Sequence, residues 1–105
     1  CGPCVNEMPD LGELGKNMPE GSQLLGVCLD ADTAKNQAIK ITEETGVEYV
    51  NIIPDDALLK YSEQIMGIPT TIFYDAKGKQ VGEAVEGMRS GAQYKKEIEA
   101  RLALL

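Results

Sequence analysis

The chain has 105 residues, 43% hydrophobic and 26% charged, with a net charge of −7. That is the size and composition of one ordinary globular domain, and the negative charge excludes binding to phosphate backbones and anionic headgroups. No apolar run approaches the roughly 20 residues that span a bilayer, so no membrane-spanning segment is expected within Cys1 to Leu105.

The apolar residues Cys4, Met8, Leu11 and Met18 fall at helical spacing, widened by Val5 and Leu14, so Cys1 to Met18 reads as an amphipathic helix. Pro9 removes a bond to the Val5 carbonyl and should bend it, and Pro19-Glu20-Gly21 ends it. Gln23 to Leu29 reads as a buried strand containing Cys28 and leading into the Asp30-Ala31-Asp32 loop. Asp32 suits the N-cap of a helix whose inner face is Ala34, Ala38, Ile41 and Thr45, with Gly46 as its stop. Glu48 to Ile53 is a short strand closed by Pro54. Asp55 or Asp56 then caps a helix carrying Leu58, Tyr61 and Ile65 up to Gly67. Thr70 to Tyr74 and Gln80 to Val85 flank Asp75-Ala76-Lys77-Gly78 as an antiparallel hairpin. Ser90-Gly91-Ala92-Gln93 is a capping box opening a last helix, with Tyr94, Ile98, Leu102 and Leu105 along one side. The order of elements implies an α/β sandwich, with parallel crossovers first and an antiparallel hairpin last.

Three cysteines and no histidine narrow the chemistry. A c-type haem needs C-x-x-C-H, but Val5 follows Cys4, and three thiols are too few for a zinc ribbon. No metal or cofactor is expected. Cys1-Gly2-Pro3-Cys4 places two sulfurs one helical turn apart, where they can close into a ring or open again. Closing a ring this small is worth only about 2 kcal/mol in loop entropy, so the spacing suits exchange better than stapling. Half a metal site and an inert disulfide are the bland alternatives. Cys1 falls at the N-cap, where unpaired N–H groups and the helix dipole favour a thiolate and draw the pKa below the ordinary value of about 8.5. Cys1 is thus the attacking thiol and Cys4, one turn inside, the resolving one. Glu7 shares a helical face with Cys4 and is a candidate proton acceptor. Its alternative is a solvated acid that merely complements the dipole. Cys28, in an apolar strand, reads as packing.

The tetrapeptide Cys1-Gly2-Pro3-Cys4 is that of thioredoxin, and Ile68-Pro69-Thr70-Thr71 resembles the cis-proline segment of the thioredoxin superfamily. Cys1-Gly-Pro-Cys4-Val-Asn-Glu7-Met-Pro9 is similar to the C-x-x-C-x-x-E-x-P signature of TlpA/ResA-type thiol-disulfide oxidoreductases. Gly26-Val27-Cys28-Leu29-Asp30 and Ile72-Phe73-Tyr74-Asp75 with Gly78 resemble that family in order and spacing. The resemblance implies a thioredoxin-like three-layer α/β/α sandwich, a mixed sheet and a cis Ile68-Pro69 bond. It also implies that Glu7 is a redox-coupled acid and that Gly2, Pro3, Ile68 and Pro69 form the client-docking surface. Partners would be protein disulfide or dithiol clients and an upstream thiol electron donor, with no nucleic acid. The Gly-Pro dipeptide implies a reductant, and the family an extracytoplasmic setting in which a membrane would be met only through residues upstream of Cys1, with the cytoplasm as alternative. Family members carry a strand before the first cysteine. The chain is therefore expected to be truncated, with a sheet completed by strand exchange in a dimer or by other means, or else a weakened fold. Rival readings are a peroxiredoxin-like peroxidase, disfavoured because no T-x-x-C site is present, and a binding or chaperone module using the apolar rim around Cys1 and Pro69.

Overall fold

In the computed structural model, residues 1–29 and 31–105 are described, and of 31–34 only the backbone. The elements are α1 (Gly2–Lys16), β1 (Leu25–Val27), α2 (Ala31–Thr45), β2 (Val50–Ile52), α3 (Asp56–Ser62), β3 (Thr70–Thr71), β4 (Val85–Glu86) and α4 (Gly91–Leu102). The chain order is the one expected from the sequence. Helix α1 runs on through Pro9. Hydrogen bonding pairs the described strands two by two, as β1-β2 and as β3-β4, instead of joining them in one mixed sheet. The chain forms two compact units, Met8–Met66 and Cys1–Glu7 with Gly67–Leu105.

In the unit Met8–Met66, β1, α2 and β2 make a parallel crossover in which Leu25 pairs with Val50, Gly26 with Asn51 and Val27 with Ile52. Cys28 follows β1 instead of lying inside it, although its N–H still reaches the Ile52 carbonyl at 3.4 Å. The expectation of a buried strand fails, since Leu25 is 50% and Val27 44% exposed. Alternation explains this: Leu25 and Val27 share one uncovered face of a two-stranded sheet, while Gly26 faces the Asn51 and Tyr49 side chains. Helix α2 begins at Ala31, so Asp32 lies inside its first turn and is not the N-cap expected, while the inner-face role of Ala34 concerns a side chain outside the described residues. Helix α2 ends as expected at Gly46, whose φ of 71° sets up a Schellman motif. The Gly46 N–H donates to Glu43 O and that of Val47 to Thr42 O, so two otherwise unpaired carbonyls are satisfied. Asp55 caps α3 by accepting the Leu58 N–H at 2.8 Å. The helix stops at Ser62, short of Gly67, as turn bonds from Glu63, Gln64 and Ile65 tighten its last turn.

In the other unit, Thr70 pairs with Glu86 and Thr71 with Val85, while nearer the turn Tyr74 bridges Gln80. The two pairings are out of register by two residues, so Gln80 to Val85 is not the continuous strand expected. The extra residues include Gly82, whose φ of 71° lets the chain bulge. Asp75 Oδ1 organises the turn by accepting the N–H groups of Lys77 and Lys79, each at 2.9 Å. Ser90 and Gln93 form the capping box of α4. Tyr94 and Ile98 are buried as expected, but Leu102 is 40% and Leu105 75% exposed, the helix ending at Leu102 before Leu105 is reached. Arg101 joins α4 to the hairpin: its guanidinium stacks 4.0 Å over Phe73, pairs with Glu97 at 2.6 Å and donates to Glu83 O.

Candidate active site

Helix α1 begins at Gly2, so Cys1 is its N-cap. The Cys1 carbonyl accepts the Val5 N–H at 3.1 Å, and Cys1 Sγ accepts the Cys4 N–H at 3.2 Å. The two cysteines are joined by a disulfide with S–S 2.07 Å and Cα–Cα 5.2 Å, the oxidised form of the pair. Cys1, Gly2 and Pro3 are exposed and Cys4 is half-buried. An incoming group therefore meets the first sulfur before the second.

The Ile68–Pro69 bond is cis, and Ile68 O lies 3.7 Å from Cys1 Sγ. Ile68 is 52% exposed, so an apolar side chain and a backbone carbonyl stand open beside the disulfide. The Pro69 carbonyl is taken by the Gly87 N–H at 2.8 Å, which anchors this segment to the hairpin. Sequence-distant residues thus meet at Cys1: the tetrapeptide from the start of α1 and Ile68 from the entry to β3.

Glu7 corrects one of the two sequence readings. It is only 4% exposed, so it is not a solvated acid. Its Oε2 accepts the Tyr94 hydroxyl at 2.8 Å and the Arg89 N–H at 3.3 Å. Tyr94, 1% exposed, in turn accepts the Thr71 hydroxyl at 3.3 Å. Burial pushes the Tyr94 phenol pKa above its ordinary 10.0; the Thr71 bond and the Arg89 charge oppose this, while the Glu7 bond and charge add to it. Sequence reasoning placed Tyr94 on an apolar stripe and missed its hydroxyl. The available signal was a tyrosine on an otherwise aliphatic stripe, because a buried Tyr O–H needs a partner. Arg89 contributes a backbone N–H, which no sequence pattern announces.

No protein-family model and no curated protein matches the chain. Fold and site define an α/β chain with a C-x-x-C disulfide at the head of a helix and a cis-proline segment beside it. Among solved structures, the chain is similar to a thiol:disulfide interchange protein, a thioredoxin family protein from Chlorobium tepidum TLS. The TM-score is 0.71 and the identity 24%, over 97% of this chain and 72% of that one. That likeness establishes the thioredoxin fold.

Proposed function

We propose that this chain is a thiol-disulfide oxidoreductase of the TlpA/ResA type, with a three-layer α/β/α sandwich, acting as a reductant of protein disulfides. The observation that carries the reading is the closed Cys1–Cys4 ring at a helix N-cap, with Cys1 Sγ accepting the Cys4 N–H. The same N–H favours a thiolate on Cys1 once the ring is open. That thiolate attacks one sulfur of a client disulfide, and the client's other sulfur departs as a thiolate and takes a proton. Cys4 gives its proton to the Glu7 carboxylate, and its thiolate attacks Cys1 Sγ. The Cys1–client bond breaks and the second client thiol leaves, taking up a proton. Two electrons pass to the client and the Cys1–Cys4 disulfide is restored; an upstream thiol donor reopens it.

Gly2, Pro3, Ile68 and Pro69 form the docking surface in this reading. The Ile68 carbonyl pairs with an extended client backbone, a recognition that reads little sequence. An extracytoplasmic location, and a strand-exchanged dimer as one route to a larger sheet, belong to the same proposal. The test is equilibration with glutathione buffers together with trapping in Cys4→Ser. The variant should accumulate a mixed disulfide with client through Cys1, and Cys1→Ser should trap nothing. Full client-holding activity in Cys1→Ser, with no disulfide exchanged by the wild type, would overturn the reading and favour a binding module. A pH-rate profile unchanged in Glu7→Gln would remove Glu7 from the mechanism.

A further inference from the structure

We infer that Tyr94 is a positioning residue for proton transfer at this site: it occupies Oε2 of Glu7, so that the proton leaving Cys4 is taken on Oε1. The inference rests on the oxidoreductase reading above and deepens it. A carboxylate oxygen has two lone pairs, and Oε2 already accepts two bonds, from the Tyr94 hydroxyl at 2.8 Å and the Arg89 N–H at 3.3 Å. A proton arriving at Oε2 would displace a buried donor, leaving it unpaired. Oε1 is therefore the receiving atom.

Tyr94 is fitted to this role by its own partners. Accepting the Thr71 hydroxyl at 3.3 Å polarises the phenol and aims its proton at Glu7. Burial holds the phenol protonated throughout the neutral range, so it remains a donor while Glu7 changes charge. Among the described residues, Glu7 is bonded by the Arg89 N–H from the segment before α4 and the Tyr94 hydroxyl from α4, the latter backed by the Thr71 hydroxyl from β3, while Cys4 precedes Glu7 by three residues on α1. Tyr94 touches the carboxylate through its side chain and is also tied to the strand that follows Pro69.

Tyr94→Phe keeps the ring and removes the donor. Losing that donor removes what reserves Oε2, so the exchange-rate profile should no longer superimpose on that of the wild type. At the wild-type midpoint the rate should fall severalfold. In a Glu7→Gln background the same substitution should change nothing further. A Tyr94→Phe profile superimposed on the wild type, or an equal rate loss in both backgrounds, overturns the positioning role while leaving the oxidoreductase intact. Wild-type protein without exchange activity, together with a Cys4→Ser variant that traps no mixed disulfide, overturns the underlying function instead. The wild type gives a second readout that does not depend on the variant's folding. Its near-ultraviolet tyrosine difference absorbance should titrate with the midpoint of the rate and vanish in Glu7→Gln; absence of that signal in the wild type also overturns the inference.

Discussion

A thiol at a helix N-cap meets backbone N–H groups that no carbonyl of the helix accepts. Cys1 Sγ takes one of these from Cys4, and the Ile68 carbonyl stands on its other side, so the leading sulfur lies between a donor and an acceptor. Glu7 shows how one residue's environment decides its chemistry. Its position three residues after Cys4 is compatible with a solvent-facing acid, yet burial and two donors on Oε2 make it part of an internal network. Gly26 illustrates the same scale away from the site. A Cβ there would collide with the Asn51 side chain and come within 2.9 Å of the Tyr49 ring. Gly26→Ala should therefore lose roughly 1 to 3 kcal/mol of stability, measured by urea unfolding, with thiol exchange by the folded fraction unchanged.

Helix α4 carries the Tyr94 hydroxyl, and its start is fixed by the reciprocal Ser90–Gln93 bonds, 3.2 Å and 2.8 Å. Ser90→Ala removes the side chain that accepts the Gln93 N–H, and should cost about 1 kcal/mol by chemical denaturation. Because the cap lies next to Arg89 in sequence, the variant is also expected to loosen the Arg89 N–H on Glu7 and to broaden the pH-rate profile. The end of α4 is held differently. Arg101 bridges to Glu83 O and the Phe73 ring, where the hairpin departs from regular pairing at Gly82. A bulged strand lacks ladder bonds at that point, and the guanidinium supplies a donor in their place.

At the scale of the whole chain, only four hydrophobic side chains are buried among the described residues, namely Leu14, Val85, Tyr94 and Ile98. Tyr94 is therefore a large share of the core as well as part of the network, and its titration should be visible in global stability. Its folded pKa lies above the ordinary 10.0. Below that value both states hold the proton and the contribution is fully present. As pH rises further, the unfolded chain releases its proton first, so stability falls until the folded phenol also ionises. Urea midpoints measured from pH 9 upward on the oxidised protein should drop more steeply for the wild type than for Tyr94→Phe, a comparison in which lysines and the other tyrosines cancel. The order of elements, the Ser90 cap, the Gly46 stop and the Cys1/Cys4 dithiol could be read from the amino-acid order, since each depends on residues within a few positions of one another, whereas the choice of Asp55 over Asp56 as the cap of α3 came from the fold. The cis Ile68–Pro69 bond was legible only through resemblance to a family. Tertiary structure alone decided that β1 is half exposed, that the strands pair two by two, and that Glu7 is buried against Tyr94 and Arg89. Burial and long-range hydrogen bonds depend on residues as far apart as 7 and 94, and a local pattern carries no record of which distant group will arrive.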